Sequence, residues 1–309
     1  MNTFVKKINP SQPEAAIIAK ACALLKQGEI IAFPTETVYG LGARLSDVAA
    51  IAKIFHAKNR PADNPLIVHI ADKTDAADIA EISEDAKGLM EKFWPGPLTL
   101  VLKKKSTVPN MVTAGLSTVC VRMPNHPVAL ALISAVGEPI VAPSANTSGA
   151  PSPTMAEHVY HDLNNKIPLI LDAGPCKIGL ESTVLDLTSN PPCILRPGAV
   201  TFEQLQKILP TLSPYHHITL SSSPTSPGMQ YRHYAPKAPL ILIENPATPI
   251  PAEYQNQKVA ILNLTQEKNL SDVARTLFAQ LRAFDIRGVD AIIVYGVADA
   301  GLGTAIMNR

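Results

Sequence analysis

The chain has 309 residues, enough for about two domains of ordinary size and for a core that needs neither disulfides nor metals. Hydrophobic residues make up 46% and the mean hydropathy is +0.12, which excludes an intrinsically disordered chain. Charged residues are only 17%, and 27 Lys plus Arg against 26 Asp plus Glu leave a net charge of +1, which argues against a protein whose main task is gripping a nucleic-acid backbone.

The N-terminal stretch MNTFVKKINPSQPE has no apolar run after its lysines, and no segment reaches the ~18 apolar residues that would span a bilayer. A soluble cytoplasmic protein is expected. A helix is predicted over 13–27: Pro13 suits a first turn, Ile17, Ile18, Ala21, Leu24 and Leu25 recur at helical spacing, and Gly28 ends it. A strand follows at 29–33 and breaks at Pro34. Ser46 and Asp47 can cap the next helix, DVAAIAKIFHAK. A strand at 66–70, a helix near 84–93, strands at 98–103 and 118–123, a helix at 127–136 and a short strand in PIVAP come next. Strands recur at 168–172, 182–187 and 193–196, before a helix at 202–209. Strands and helices interleave irregularly, so the expected fold is α/β with a mixed sheet.

Residues 213–238 are rich in Pro, Ser, His and Tyr and have little periodicity, so they read as an interdomain segment between a first domain, 1–212, and a second, 239–309. The second domain has a β-β-α-β pattern. On its helix Val273, Leu277 and Leu281 form an apolar face, and Arg275 and Arg282 a polar one.

Several segments carry candidate chemistry. FPTETVYGLGA (33–43) packs a strand end, two glycines and three hydroxyl residues into what reads as one turn; its GxG fits no dinucleotide fingerprint, because Leu45 stands where the third glycine would be. KNRPADNPLIVHI (58–70) puts Lys58 and Arg60 in a loop before an apolar strand. Two such cations suit phosphate or carboxylate, although a lone basic loop is more often a solvated surface. His69 sits inside that strand, where a core histidine is the simpler reading. Arg122 ends a strand, a usual position for ligand contacts in α/β proteins. APSANTSGAPSPT (142–154) clusters hydroxyls, an amide and glycine that could wrap a phosphate. ESTVLDL and LRPG add a hydroxyl pair and Arg196 at strand boundaries. The cysteines Cys22, Cys120, Cys176 and Cys193 form no CxxC and read as buried thiols. His158 and His161 share a helix without a third ligand, so no metal site is expected. No nucleophile motif appears.

Taken together, PTETVYGLG, KNRPADNPLIVHI, WPGPLTLVL, VRMPNHP, APSANTSGAPSPT, ESTVLDL and LRPGAV, in that order, resemble the threonylcarbamoyl-AMP synthase family with its YrdC-like catalytic fold. SPGMQYRHYAPKAPL resembles the linker of the family's two-domain branch, and GVDAIIVYG with GLGTAIMNR its small Rossmann-like α/β C-terminal domain. One departure is that the family usually continues past Asn308-Arg309 into a longer helix, so either a short last helix or a trimmed chain is expected. The resemblance implies a YrdC-like twisted mixed sheet. It implies a nucleotidyltransferase that joins L-threonine, bicarbonate or CO2, and ATP with Mg2+ into threonylcarbamoyl-AMP and pyrophosphate, for N6-threonylcarbamoyladenosine modification of tRNA by downstream transferase machinery.

By the same resemblance, Lys58, Arg60, Ser144 and Asn146 form the catalytic tetrad on the nucleotide. Asn64, Thr118, Ser152, Arg196, Tyr231 and Tyr234 are further ATP contacts. Thr35, His69, Arg122, Ala142 and Ser182 form the threonine pocket, with Arg122 on the carboxylate. Tyr231, Arg232 and Tyr234 would form a lid. Two rival readings are a weak tRNA or double-stranded RNA binding module, disfavoured by the near-neutral charge, and the YrdC-like part of a hydrogenase-maturation enzyme, disfavoured because the few scattered cysteines make no zinc-finger module.

Overall fold

The structure, a computed structural model, describes residues 2–213, 234–243, 247–266 and 269–309. The elements begin with β1 (Phe4–Lys7), α1 (Ala15–Lys26), β2 (Ile31–Phe33), β3 (Gly40–Arg44), α2 (Val48–Lys58), β4 (Ile67–His69), α3 (Ala76–Ile79), α4 (Glu84–Phe93) and β5 (Leu98–Lys103). They continue with α5 (Asn110–Thr113), β6 (Thr118–Arg122), α6 (Pro127–Val136), β7 (Ile140–Val141), α7 (Ala156–Leu163), β8 (Leu169–Asp172), β9 (Thr183–Asp186), β10 (Cys193–Arg196) and α8 (Phe202–Gln206). The C-terminal unit adds β11 (Leu240–Ile243), β12 (Val259–Asn263), α9 (Leu270–Arg287), β13 (Ala291–Tyr295) and α10 (Leu302–Asn308).

The first ten strands form one mixed sheet in the order β1-β8-β2-β3-β7-β4-β6-β5-β9-β10. Alternation along β2 divides its side chains between two cores. Ile30 and Ala32 join the core under α2, α4 and α7, while Ile31 and Phe33 join the one under α1 and α6. Local chemistry starts and stops these helices as expected. Asp47 caps α2 by accepting from the Ala50 N–H, and Gly28 turns at φ +76° one residue after the C-cap of α1.

The face under α1 and α6 also creates the cavity. His69 is in register with Arg122 on β6 and with Ile140 on β7, so the three side chains share that face. Ile140 lies under the two helices. Farther across, the same face carries a small apolar cluster of Ile67, Val101, Cys120, Val184 and Leu195, which among the described residues includes no helix residue. A sheet face left without a helix is a cleft, and polar groups fill it.

Two expectations change here. The segment after Thr37 is not all turn: Gly40–Arg44 is a strand, antiparallel to β2. Its glycines serve close approach, because a Cβ on Gly42 would lie 2.8 Å from the Phe33 ring and 2.9 Å from Ile140. The polar face of α9 is not simply solvated. Arg275 pairs with Asp272 on the surface, but Arg282 is 7% exposed and faces the larger sheet's unit.

In the C-terminal unit β11, β13 and β12 pair in parallel, as a small Rossmann-like layer. Val273, Leu277, Phe278 and Leu281 of α9 pack on Ile292 and Val294, and Val38 and Leu180 from the larger sheet's unit complete that core. Contact is closest at Gly179, at φ +83°, where a Cβ would sit 2.5 Å from the Arg275 Cα and 2.6 Å from the Ala274 carbonyl. Gly179→Ala is therefore expected to destabilise by roughly 2–4 kcal/mol, from left-handed strain plus overpacking against immovable backbone. Gly137→Ala, also at positive φ but with nothing within 4 Å, provides the reference at about 1–2 kcal/mol. Denaturant titrations of the two variants test this; equal losses would mean the close approach carries no cost.

Candidate active site

The cavity is lined by Thr35, Lys58, Arg60, His69, Arg122, Ala142, Ser144, Asn146, Ser152, Ser182, Arg196 and Tyr234, all of them expected from the sequence, together with Thr37, Glu181 and backbone of the 148–150 turn. It holds about 740 Å³ of space, its open mouth included.

Lys58 closes α2 and is not a loop cation on the surface: it is 1% exposed. Its Nζ donates to the Ser144 and Asn146 carbonyls, both at 2.5 Å. The Ser148 N–H returns a bond to the Lys58 carbonyl at 2.8 Å. Ser144 Oγ donates to Asn146 Oδ1 at 2.5 Å, and Asn146 Nδ2 donates to the Thr147 and Ala150 carbonyls. The hydroxyl-rich segment is thus curled around one ammonium. Burial first, then the charge of Arg60, lowers the Lys58 pKa well below its ordinary value. Arg60 Nη2 donates to the carbonyls of Asn64 and Pro65, at 3.2 and 2.9 Å. Its Nε, and the buried Asn64 Oδ1, have no hydrogen-bond partner among the described residues. Of these two, Arg60 lines the cavity, and its unmet Nε marks where a ligand can bind.

At the other end, Arg122 is 3% exposed. Its Nη1 donates to Thr37 Oγ1 at 2.9 Å and its Nε to the Gly96 carbonyl at 3.2 Å. Its Nη2 lies 2.7 Å from Glu36, a charge contact without hydrogen-bond alignment. Thr35 Oγ1 donates to the Val38 carbonyl and accepts from the Thr37 and Val38 N–H groups, which fixes the turn. Burial, then Arg122, lowers the His69 pKa to about 3, so this ring is neutral at working pH. It meets the Phe33 ring edge-on. Between the two ends, Arg196 donates to the Ser182 carbonyl and Oγ, and Ser182 Oγ lies 2.7 Å from Thr99 Oγ1.

Thr118 is one of two described expected residues that the fold does not bring to this lining, Asn64 being the other: Thr118 opens β6, opposite Lys103, while Arg122 ends that strand. Four steps of ~3.3 Å separate the two. Asn64 stands behind Arg60 as a carbonyl acceptor and is not itself a lining residue. Tyr231 and Arg232 lie outside the described residues. Tyr234 lines the cavity at φ +59°. His158 is a core histidine whose Nδ1 accepts from the Thr154 N–H, and His161 contacts Asp162. The described residues contain no group of three His, Cys, Asp or Glu that could hold a metal. Cys22, Cys120 and Cys176 are buried free thiols, and Cys193 is half-buried.

Sequence reasoning did not single out Glu36, Thr37, Glu181 or Arg309, although each lies within a quoted motif. Ser152 Oγ donates to Glu181 Oε1, and Arg309 Nε sits 2.6 Å from Glu181 Oε2. Burial opposes ionisation of Glu181. The charges of Arg309 and Arg196 and the bonds from Ser152 and Arg309 outweigh it, and hold the carboxyl below its usual range.

An α/β cavity that joins an arginine-and-threonine end to a cation-rich end is built for a small ligand with two anionic parts. Comparison with known proteins narrows this class. A family model described as "Telomere recombination" matches residues 23–198, and one described as "Threonylcarbamoyl-AMP synthase, C-terminal domain" matches residues 200–309. The threonylcarbamoyl-AMP synthase of Bacillus subtilis is 48% identical over 94% of this chain and 91% of its own, and that of Pyrococcus abyssi is 45% identical with the same coverage. The crystal structure of Pyrococcus abyssi Sua5 complexed with L-threonine superposes at a TM-score of 0.93, with 42% identity, over 99% of this chain and 96% of that one. The chain belongs to the threonylcarbamoyl-AMP synthase family, in its two-domain Sua5 form, and its relatives are enzymes. No described helix is long and apolar enough to cross a membrane.

Two outcomes follow from the buried groups. Lys58→Ala leaves two carbonyls without their donor. The variant is expected to lose roughly 1–3 kcal/mol of stability as well as activity. A thermal melt alongside an activity assay checks both. Burial also lowers His126 and His158 to about 4, so with His69 three histidines stay neutral in the folded state while the unfolded chain protonates near 6.5. The unfolded state therefore binds more protons, and stability should fall as pH drops from 6.5 to about 5, by up to roughly 1.4 kcal/mol per pH unit for each histidine. His158→Gln should flatten that slope in denaturant midpoints; an unchanged slope would assign it elsewhere.

Proposed function

We propose that this chain condenses L-threonine, bicarbonate or CO2, and ATP into L-threonylcarbamoyl-adenylate and pyrophosphate. The observation that carries the reading is the adjacency, in one cavity, of Arg122 with Thr35, Thr37, His69 and Ser182 on one side, and of Lys58, Arg60, Ser144 and Asn146 on the other. The first group suits an amino acid. A planar guanidinium takes the carboxylate, hydroxyls take the side-chain hydroxyl, and a neutral His69 can accept a hydrogen bond where a charged one could not. The second suits a nucleotide, because its cations outnumber its acids.

In the proposed reaction the threonine amine adds to CO2 and releases a proton. A carbamate oxygen then attacks the α-phosphorus, and pyrophosphate leaves. The substrate supplies its own nucleophile, so positioning and charge neutralisation do the work and no catalytic triad is needed. ATP enters as its magnesium complex. Among the described residues the one carboxylate in the lining, Glu181, already faces Ser152 and Arg309, so the ion would be held by phosphate oxygens, waters and neutral oxygens such as Ser144 Oγ. Closure at Tyr234 would protect a labile carbamate from water. The product would pass, in the cytoplasm, to a transferase that modifies an adenosine of tRNA; any RNA contact of this chain itself would be weak, given its net charge of +1.

The test is incubation with MgATP, L-threonine and bicarbonate. Pyrophosphate release that depends on threonine, with a new species at the mass of threonylcarbamoyl-adenylate, is expected; ATP turnover indifferent to threonine would sink the reading. Arg122→Lys keeps charge but loses the planar fork. It should weaken threonine binding at least about tenfold more than ATP binding in calorimetry, and equal losses would reject the assignment of this end to the carboxylate.

A further inference from the structure

Two arginines of the C-terminal unit stand behind the cavity wall, outside its lining, and both act on the same piece of chain, residues 147–152. Arg282 of α9 closes on Asp162 of α7 in two bonds, Nη1 to Oδ1 at 3.0 Å and Nη2 to Oδ2 at 2.8 Å, and donates to the Pro151 carbonyl from Nε and Nη2. Asp162 Oδ2 in turn accepts from the Thr147 N–H at 3.2 Å, which fixes the start of the piece. Arg309 fixes its end. The side chain is fully buried and pairs with Glu181, whose other oxygen accepts from Ser152. Arg309 also donates to the Pro197 carbonyl at 3.1 Å and lies over the Tyr234 ring at 5.0 Å, and that ring stacks on Phe278 of α9.

This arrangement fixes the direction of a hydrogen bond. An ionised carboxylate only accepts, so Ser152 must spend its single proton on Glu181. What Ser152 offers the cavity is therefore an acceptor. A phosphate oxygen, which near neutral pH has no proton to give, finds no bond there. A sugar hydroxyl or an exocyclic amine finds the bond it needs. The cations at Lys58 and Arg60 have the opposite preference.

We infer that Ser152 receives the nucleoside end of the nucleotide, by accepting a hydrogen bond from a ribose hydroxyl or the base amine, and that Arg309 of the C-terminal unit is the positioning residue that sets this polarity through Glu181. The inference rests on the reading that the cavity takes ATP. It goes further in stating which end of ATP meets which wall and in giving the C-terminal unit a part in nucleotide recognition.

The experiment measures binding of MgATP and of magnesium pyrophosphate by calorimetry, without threonine, to the full chain and its variants. Ser152→Ala removes one hydroxyl and leaves the carboxylate paired, so it is expected to fold. It should weaken ATP roughly five- to tenfold and leave pyrophosphate within about twofold. Arg309→Met with Glu181→Leu removes both charges together, which avoids leaving one buried and alone, and also takes away the acceptor of the Ser152 proton. That pair should cost ATP binding about as much as Ser152→Ala. Adding Ser152→Ala to it should cost little more, because the three residues act through one bond. Equal losses for ATP and pyrophosphate would overturn the inference, as would full additivity or unimpaired ATP binding by Ser152→Ala. If the wild-type chain itself binds no ATP, the failure lies with the functional reading and not with the Arg309 relay alone.

Discussion

A lysine ammonium at 1% exposure, with no carboxylate within salt-bridge distance among the described residues, is expensive to bury, and the cavity is organised around Lys58. Two carbonyl dipoles, at Ser144 and Asn146, take the place of a counterion. To bring both to one nitrogen the chain must curl, and the Asn146 side chain and the Ser148 N–H hold that curl closed. Carbonyls offset the cost of a buried cation only in part, so the charge remains available to an anion. The same holds for Arg60, which meets two carbonyls and keeps its Nε without a hydrogen-bond partner. On the proposed reading, folding holds these groups in a state that ligand binding relieves, which is what pre-organisation for a triphosphate means in electrostatic terms.

Arg122 follows a different logic. Its charge is met within the protein by Glu36, and its remaining donors by Thr37 and Gly96. The pair is almost fully buried, yet Glu36 approaches without hydrogen-bond alignment, so part of the guanidinium's capacity is unused. A carboxylate ligand would therefore compete with an internal carboxylate. The neutral His69, in register beside it, adds no second charge to that competition. The two ends of the cavity thus differ in kind, one internally neutralised and geometric, the other under-neutralised and electrostatic. That difference is the physical basis for assigning an amino acid to the first and phosphates to the second.

Much of this was legible in the sequence where periodicity or a local cap carries the information. The helices at Ala15–Lys26, Val48–Lys58 and Pro127–Val136 and the strands around His69 and Arg122 fall where spacing predicts them. The failures have physical causes. Phe4–Lys7 is exposed on every residue, so it has no alternation to read. Gly40–Arg44 pairs through its backbone, and its glycines mark the approach of Phe33, a contact that only the register reveals. A helical wheel assigned Arg282 to a polar face correctly, but it cannot say whether water or another unit covers that face. Lys58 looked like a surface cation because its acceptors lie 86 and 88 residues away. The lining residues were found by ordered motifs, yet that route gave no reason to look at Glu36 or Glu181, whose roles depend on partners elsewhere in the chain.

The C-terminal unit shows how such distant partners come to matter. Its contact with the catalytic unit combines an apolar core around Val38 and Leu180, a backbone approach that only glycine permits at Gly179, and two buried arginines. The apolar part and the glycine set how closely the units lie. The arginines convert that distance into side-chain geometry, because a buried ion pair tolerates little displacement before an unpaired charge remains. A shift of the small unit by an ångström would therefore be felt first at Asp162 and Glu181, and through them at both ends of residues 147–152. The segment joining the units leads into Tyr234, whose ring is held between Phe278 and Arg309 at the cavity edge. The geometry of the 147–152 wall and the seating of the small unit are thus one mechanical variable.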